Sequence, residues 1–281
     1  MEKFHSLIYQ VKKSPLTIAG VVIILIVCFI ALFAPYIAPY EYDEINPPDR
    51  LLPPSKTHIC GTDTAGRDVF SRIVYGSRIS IRIGITVTSL AAIFGSLIGL
   101  FSGYIGGKVD EIIMRITDVF FSIPYLILAM AISAALGPNL VNMMLSLSIV
   151  WWPVYTRLTR GQALLIREST YIEAARSLGA GNIRIILRHV LPNSFSPIVV
   201  QASLDFGNAI LYAAALSFIG LGAQPPTPEW GAMIAMGRDY LRDSWWYPTF
   251  PGLAILITVL GFNLLGDGLR DILDPRLKER G

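Results

Sequence analysis

Residues 119–156 read VFFSIPYLILAMAISAALGPNLVNMMLSLSIVWWPVYT, 38 consecutive positions without Asp, Glu, Lys or Arg. A helix needs about 20 apolar residues to cross a hydrocarbon core ~30 Å thick, so this run is long enough for two crossings. Gly137-Pro138-Asn139 lies near its middle and supplies the turn between them. Four more charge-free runs flank it, at 14–40, 83–107, 206–228 and 244–266. Together they predict an all-α membrane protein with six transmembrane helices, at about 15–35, 83–104, 116–136, 139–158, 196–219 and 250–267. Composition agrees: 53% of the 281 residues are hydrophobic and 15% charged, against about 25% charged in soluble domains. The net charge of +3 is spread between the apolar runs, which argues against a nucleic-acid stripe. Cys28 and Cys60 form neither a disulfide framework nor a metal set, and are expected to be packing residues.

Lys3, Lys12 and Lys13 precede the first apolar run, but that run exceeds the ~7–15 residues of a signal-peptide core and reads as a retained helix. With the N-terminus inside, fifteen of the 23 Lys and Arg residues fall on the inner side, so both termini are expected in the cytoplasm. Residues 36–66 are rich in Pro and Tyr and read as an extended outer loop. Residues 67–82 place Val69, Phe70, Ile73 and Val74 on one face, as a helix lying along the membrane surface would; the alternative is a solvated loop leading into the second span. The first span is Ile and Val nearly all round, which suits a peripheral helix. The second carries Ala91, Gly95, Gly99 and Gly103 at four-residue intervals, a face for close helix packing. Trp245, Trp246 and Tyr247 are expected to anchor the last span in the headgroup layer.

Between the fourth and fifth spans, Thr170 and Glu173 have capping-box spacing and predict a helix start. Gly179 and Gly181 end that helix after two turns, and a second helix over 182–191 is expected to stop at Leu191-Pro192. A helix of about eight residues is marginal in water and needs a surface to dock against. Ala174 and Ala175 keep it narrow, as insertion into a cleft of another protein requires.

Glu173-Ala174-Ala175, then three residues, Gly179, then eleven residues and Leu191-Pro192, resemble the cytoplasmic signature of binding-protein-dependent ABC importer permeases. His189 departs from the aliphatic residue that many such permeases have there. Gly61-Thr62-Asp63, Gly66-Arg67-Asp68, the stretch from Gly222 to Gly231, and Gly266-Asp267-Gly268 with Leu273-Asp274-Pro275 narrow the likeness. They are similar to the C-type subunit of the dipeptide, oligopeptide and nickel branch. The resemblance implies a type I ABC importer permease fold in the bacterial inner membrane. It also implies a second homologous permease subunit, two cytoplasmic ABC ATPase subunits and an extracytoplasmic solute-binding protein. Glu173, Ala174, Ala175, Gly179, Leu191 and Pro192 would then dock the ATPase and couple ATP-Mg hydrolysis on that partner to alternating access. The expected organisation is a tail, first helix and outer loop over 1–78, a transmembrane core over 79–270 with its coupling segment at 161–195, and a cytoplasmic tail over 271–281.

Catalysis is not expected of this chain. The nearest approach to a phosphate-cradling loop, Gly106-Gly107-Lys108-Val109, has Ser102 at the first glycine position and Val109 in place of Ser or Thr. His5, His58 and His189 are too scattered for a metal site or a triad. Asp205 stands about eight residues, ~12 Å, inside the fifth span. Intramembrane carboxylates face a cavity or a partner, so it either meets a substrate's cationic amino group or a metal along the pathway, or makes an interhelical hydrogen bond. Asn139, Asn142, Asn208, Asn263 and Asp267 read as helix contacts and caps. An ion-gradient transporter would favour discontinuous helices in inverted halves, and a membrane enzyme would show paired carboxylates or a nucleophile with its base. Among importers, peptides are the expected cargo, with nickel or another small solute as the alternative.

Overall fold

The computed structural model describes residues 15–273. Lys3, His5, Lys12 and Lys13, the Asp274-Pro275 motif and the C-terminal basic residues lie outside them. The main helices are α1 (Pro15–Leu32), α2 (Val69–Ile105), α3 (Gly107–Phe121), α4 (Tyr125–Leu136), α5 (Leu140–Arg167) and α6 (Thr170–Ser177). They are followed by α7 (Asn182–Phe218), α8 (Trp230–Gly237) and α9 (Trp246–Leu273). Among the described residues α1, α2, α7 and α9 are each long and apolar enough to cross a membrane, and α3 with α4 makes a fifth candidate as a pair bent by 90°. α5 has the length but a more polar sequence, and it packs against α2, α4 and α7.

Three expectations are corrected here. The third span is broken: Pro124 lacks an N–H and disfavours helical backbone at Ile123, so the chain turns between Phe121 and Tyr125. Residues 69–82 form no separate surface helix; they continue into the second span as one 37-residue helix, ~55 Å long at 1.5 Å per residue. Trp246 and Tyr247 are buried instead of lying in the headgroup layer, and Trp245 alone is exposed.

The seam between α2 and α5 is the most extensive helix contact among the described residues. A methyl group on Gly95 would run into the Trp152 carbonyl, on Gly99 into that of Thr156, and on Gly103 into that of Arg160. The backbones are close enough for Thr156 Oγ1 to donate to the Gly95 carbonyl at 2.9 Å and Thr159 Oγ1 to the Ser96 carbonyl at 3.2 Å. The small-residue face therefore packs as its spacing predicts. α1 lies at the periphery, against α9, with most of its residues exposed.

At the end of the bundle where α1 finishes and α2 begins, residues 38–68 fold over the helices as a cap. Asp68 is the N-cap of α2, accepting from Ser71 N and Oγ at 2.7 and 2.8 Å, and His58 Nδ1 lies 2.9 Å from its other oxygen. Asp63 pairs with Arg67 at 2.7 Å and lies 3.6 Å from Arg72 Nε. Arg72 is wholly buried and donates to the carbonyls of Tyr42, at 2.8 Å, and Pro226, at 3.3 Å. Trp246 Nε1 donates to the Thr62 carbonyl and Trp230 Nε1 to that of Ile73. Glu229 caps α8 through the N–H groups of Gly231 and Ala232; burial pushes its carboxyl up, and these two donors oppose the shift. Burial, reinforced by Asp68, pushes the Cys60 thiol up to about 11, consistent with a packing role.

Replacing Gly99 by Ala forces the α2–α5 seam apart and is expected to destabilise the protein by about 1–3 kcal/mol. Gly161→Ala, where nothing lies within 4 Å of the added carbon, should be neutral or stabilise by up to ~1 kcal/mol; thermal unfolding of the two variants in one detergent compares them. In the same assay Arg72→Ala leaves the Tyr42 and Pro226 carbonyls without their donor, while Asp63 keeps Arg67, and should cost about 1–3 kcal/mol, whereas the exposed Arg82→Ala leaves the melting temperature unchanged.

Candidate functional site

The predicted two-turn helix is α6, at the end of the bundle opposite the cap. Its N-cap is Ser169, with no side-chain cap bond, so the capping box expected of Thr170 and Glu173 does not form. Thr170 is the first helical residue, and the Ser169 hydroxyl donates back to the Ile166 carbonyl at 2.6 Å. The C-terminus follows the glycine reading closely. Gly179 has a φ of 84°, and the bonds Gly179 N to Arg176 O at 2.8 Å and Ala180 N to Ala175 O at 3.0 Å are the two bonds of a Schellman cap.

One side chain of α6, Ile172, is fully buried, in a cluster with Leu100 and Tyr104 of α2, Ala163 of α5, and Ile185 and Val190 of α7. Glu173, Ala174 and Gly179 are exposed and Ala175 is half-buried. Tyr171, Leu178 and Ile183 add an apolar edge that faces outward, Leu178 at 89% exposure. Burying Ile172 contributes about 1.5–3 kcal/mol, enough to seat the helix while leaving the rest of its surface open.

The second helix does not stop at Leu191-Pro192, which corrects the expectation. Residues 182–218 run continuously through a π-helical turn, Ile186–Val190. Pro192 has no N–H and its ring would crowd the Arg188 carbonyl; the wider turn absorbs this, with Leu191 N–H donating to the Ile186 carbonyl five residues back. Leu191 packs on the Ile172 cluster, Pro192 is exposed, and His189 is half-buried with its ring 6.1 Å from that of Tyr171.

Two anchors of this end escaped sequence reading. Arg176 Nε donates to Tyr104 Oη at 3.1 Å, which ties α6 to α2. Asp110 of α3 holds Arg160 of α5 through two bonds of 2.6 and 2.7 Å and accepts from Ser102 Oγ at 2.6 Å. Asp110 following Gly106-Gly107 and Arg160 near the end of a span were the available signals, but their pairing across 50 residues is not readable from spacing.

Asp205 is 8% exposed on α7, in the middle of the bundle. It accepts from Gln201 Nε2 at 3.1 Å, with Asn208 and the buried phenol of Tyr155 beside it. Gln201, Asp205 and Asn208 recur at helical spacing and make one polar stripe. Asn139 caps α5 by accepting from Val141 N, and Asn142 donates to the carbonyls of Leu136 and Gly137. His58 is braced between Asp68 and Asp49, and among the described residues no cluster of His, Cys, Asp and Glu suits a metal ion.

Residues 95–279 match the family described as binding-protein-dependent transport system inner membrane component, and residues 4–54 match the N-terminal transmembrane domain of oligopeptide transport permease C. A probable D,D-dipeptide transport system permease protein of Escherichia coli (strain K12) is 53% identical over 96% of this chain and 91% of its own length. A dipeptide transport system permease protein of Alkalihalophilus pseudofirmus is 49% identical over 96% and 88%. A glutathione transport system permease protein of Pectobacterium atrosepticum is 46% identical over 95% and 89%. Among solved structures, the inward-facing MetNI methionine ABC transporter shares the fold with a TM-score of 0.55 and 22% identity, covering 72% of this chain and 97% of that one. A membrane bundle carrying a two-turn helix at one end, with these relatives along nearly its whole length, is a transport permease: the chain belongs to the inner membrane components of binding-protein-dependent transport systems.

Proposed function

We propose that this permease imports di- or oligopeptides by forming half of a translocation pathway with a second, homologous permease subunit. α6 docks in a cleft of a cytoplasmic ATPase, and an extracytoplasmic binding protein delivers the cargo at the cap. The observation that carries the coupling role is the seating of α6: one buried anchor, Ile172, a rigid glycine cap, and an exposed apolar edge at Leu178 and Ile183. Glu173, Ala174, Ala175, Gly179, Leu191 and Pro192 belong to this docking segment. Its placement on the cytoplasmic side follows from the lysine and arginine distribution, with both termini on that side of the inner membrane. ATP-Mg belongs to the ATPase partners, because the sequence carries no phosphate-cradling loop of its own; the chain performs no catalysis.

Peptide cargo is supported by relatives named for D,D-dipeptide, dipeptide and glutathione transport. Asp205 would meet the peptide's ammonium group in the pathway, and the polar stripe of Gln201 and Asn208 supports that reading.

In vesicles holding the full complex, Glu173→Ala combined with Gly179→Asp should leave assembly intact, preserve ATP hydrolysis and lower dipeptide uptake roughly tenfold, the equivalent of about 1.4 kcal/mol of lost coupling. Normal uptake by this variant would reduce the 170–192 segment to a loop. Asp205→Asn should weaken uptake of peptides with a free amino group while sparing N-acetylated ones; equal uptake of both by variant and wild type would return Asp205 to a purely structural role.

A further inference from the structure

α1, α2, α8 and α9 leave a groove of about 260 Å³ between them, on the side of the molecule away from the Ile172 cluster. Val27 and Ile30 of α1, Ile73 of α2 and Ala254 of α9 supply apolar walls. Three polar side chains also reach the lining, and each donates to a backbone carbonyl: Ser77 Oγ to Val74, Thr258 Oγ1 to Ala254, and Trp230 Nε1 to Ile73. The groove thus offers no free donor to a polar ligand and asks for a hydrocarbon occupant.

Its position defines which hydrocarbon. Ile23 to Ile30 covers eight residues of α1, a rise of ~10 Å, which fits within one leaflet of a core ~30 Å thick. At the end of that stretch Arg78 caps α1, with Nε donating to the Ala31 carbonyl at 2.6 Å and Nη2 to the Leu32 carbonyl at 3.0 Å. Arg78 is exposed and forms no ion pair among the described residues. Tyr36, 87% exposed, stands just beyond the same helix end, where an amphipathic ring favours the headgroup layer. A cation at the helix end next to a dry groove, with a tyrosine beyond that end, matches the phosphate and the glycerol backbone of a lipid.

We propose that this groove is a specific site for one glycerophospholipid, its acyl chain lying between α1 and α9 and its phosphate at Arg78. The bound lipid fills the gap between the peripheral helix and the bundle and joins α1 to the cap end of α2.

Native mass spectrometry of the assembled complex, purified in mild detergent, is the test. Wild type is expected to retain phospholipid after washing, and Ala254→Phe, which fills the groove, should lower that occupancy roughly tenfold, the effect of displacing about two methylene groups from a buried position. Arg78→Gln should keep lipid but lose any preference for phosphatidylglycerol over phosphatidylethanolamine. A photoreactive benzoylphenylalanine at the half-exposed Ile257 covers the case in which Ala254→Phe does not assemble: a lipid-mass adduct supports the site. Unchanged lipid occupancy in an assembled Ala254→Phe complex overturns the proposal. So does a crosslink to another polypeptide, or the absence of any lipid adduct.

Discussion

Helices in lipid gain nothing from hydrophobic exclusion when they meet, so a membrane bundle stands on how closely its backbones can approach. In this protein that constraint is met along α2 and α5, where three glycines of one helix lie against carbonyl groups of the other. Everything else is arranged around the pair. α7 and α4 pack on its flanks, and the first turns of α2 carry the buried arginine of the cap. Its last turns supply Leu100 and Tyr104 to the cluster that seats α6. One helix of ~55 Å, longer than the membrane is thick, connects the two ends of the molecule as a single rigid body.

Much of this was legible in the sequence because it follows from local rules. The four-residue spacing from Ala91 to Gly103 foretold the seam, and Gly179 foretold the end of α6, since a left-handed residue is needed there. What failed did so where a local rule met a tertiary partner. α6 begins at Thr170 as expected, but its N-cap is Ser169 and the capping box is not made, because the buried Ile172 seats the helix without capping chemistry. Trp246 and Tyr247 have the composition of an interfacial belt, but the cap folds over them. Pro124, inside the span expected over 116–136, carried its own signal, since a proline within an apolar run can break a helix as readily as bend it.

The motifs that carry the resemblance to importer permeases divide between two jobs. Gly61, Asp63, Gly66, Arg67 and Asp68 build the cap: a side chain at Gly66 would strike the backbone of Asn46, and one at Gly61 the ring of Trp246. Glu229 and Trp230, in the second motif, close it from the other side. These residues hold a platform together. The Glu173–Gly179 segment instead keeps most of its surface free.

The π turn at Ile186–Val190 sets the angular phase of the molecule. It holds one more residue than an α-helical turn, and each residue of an α-helix advances the azimuth by ~100°. Side chains on the two sides of the turn are therefore offset around the axis of α7 by about that angle from an unbroken helix. Deleting a single residue there would regularise the winding and swing α6 around the bundle, away from Tyr104. The orientation of one end with respect to the other is thus written as a count of residues, and a proline at position 192 keeps the count.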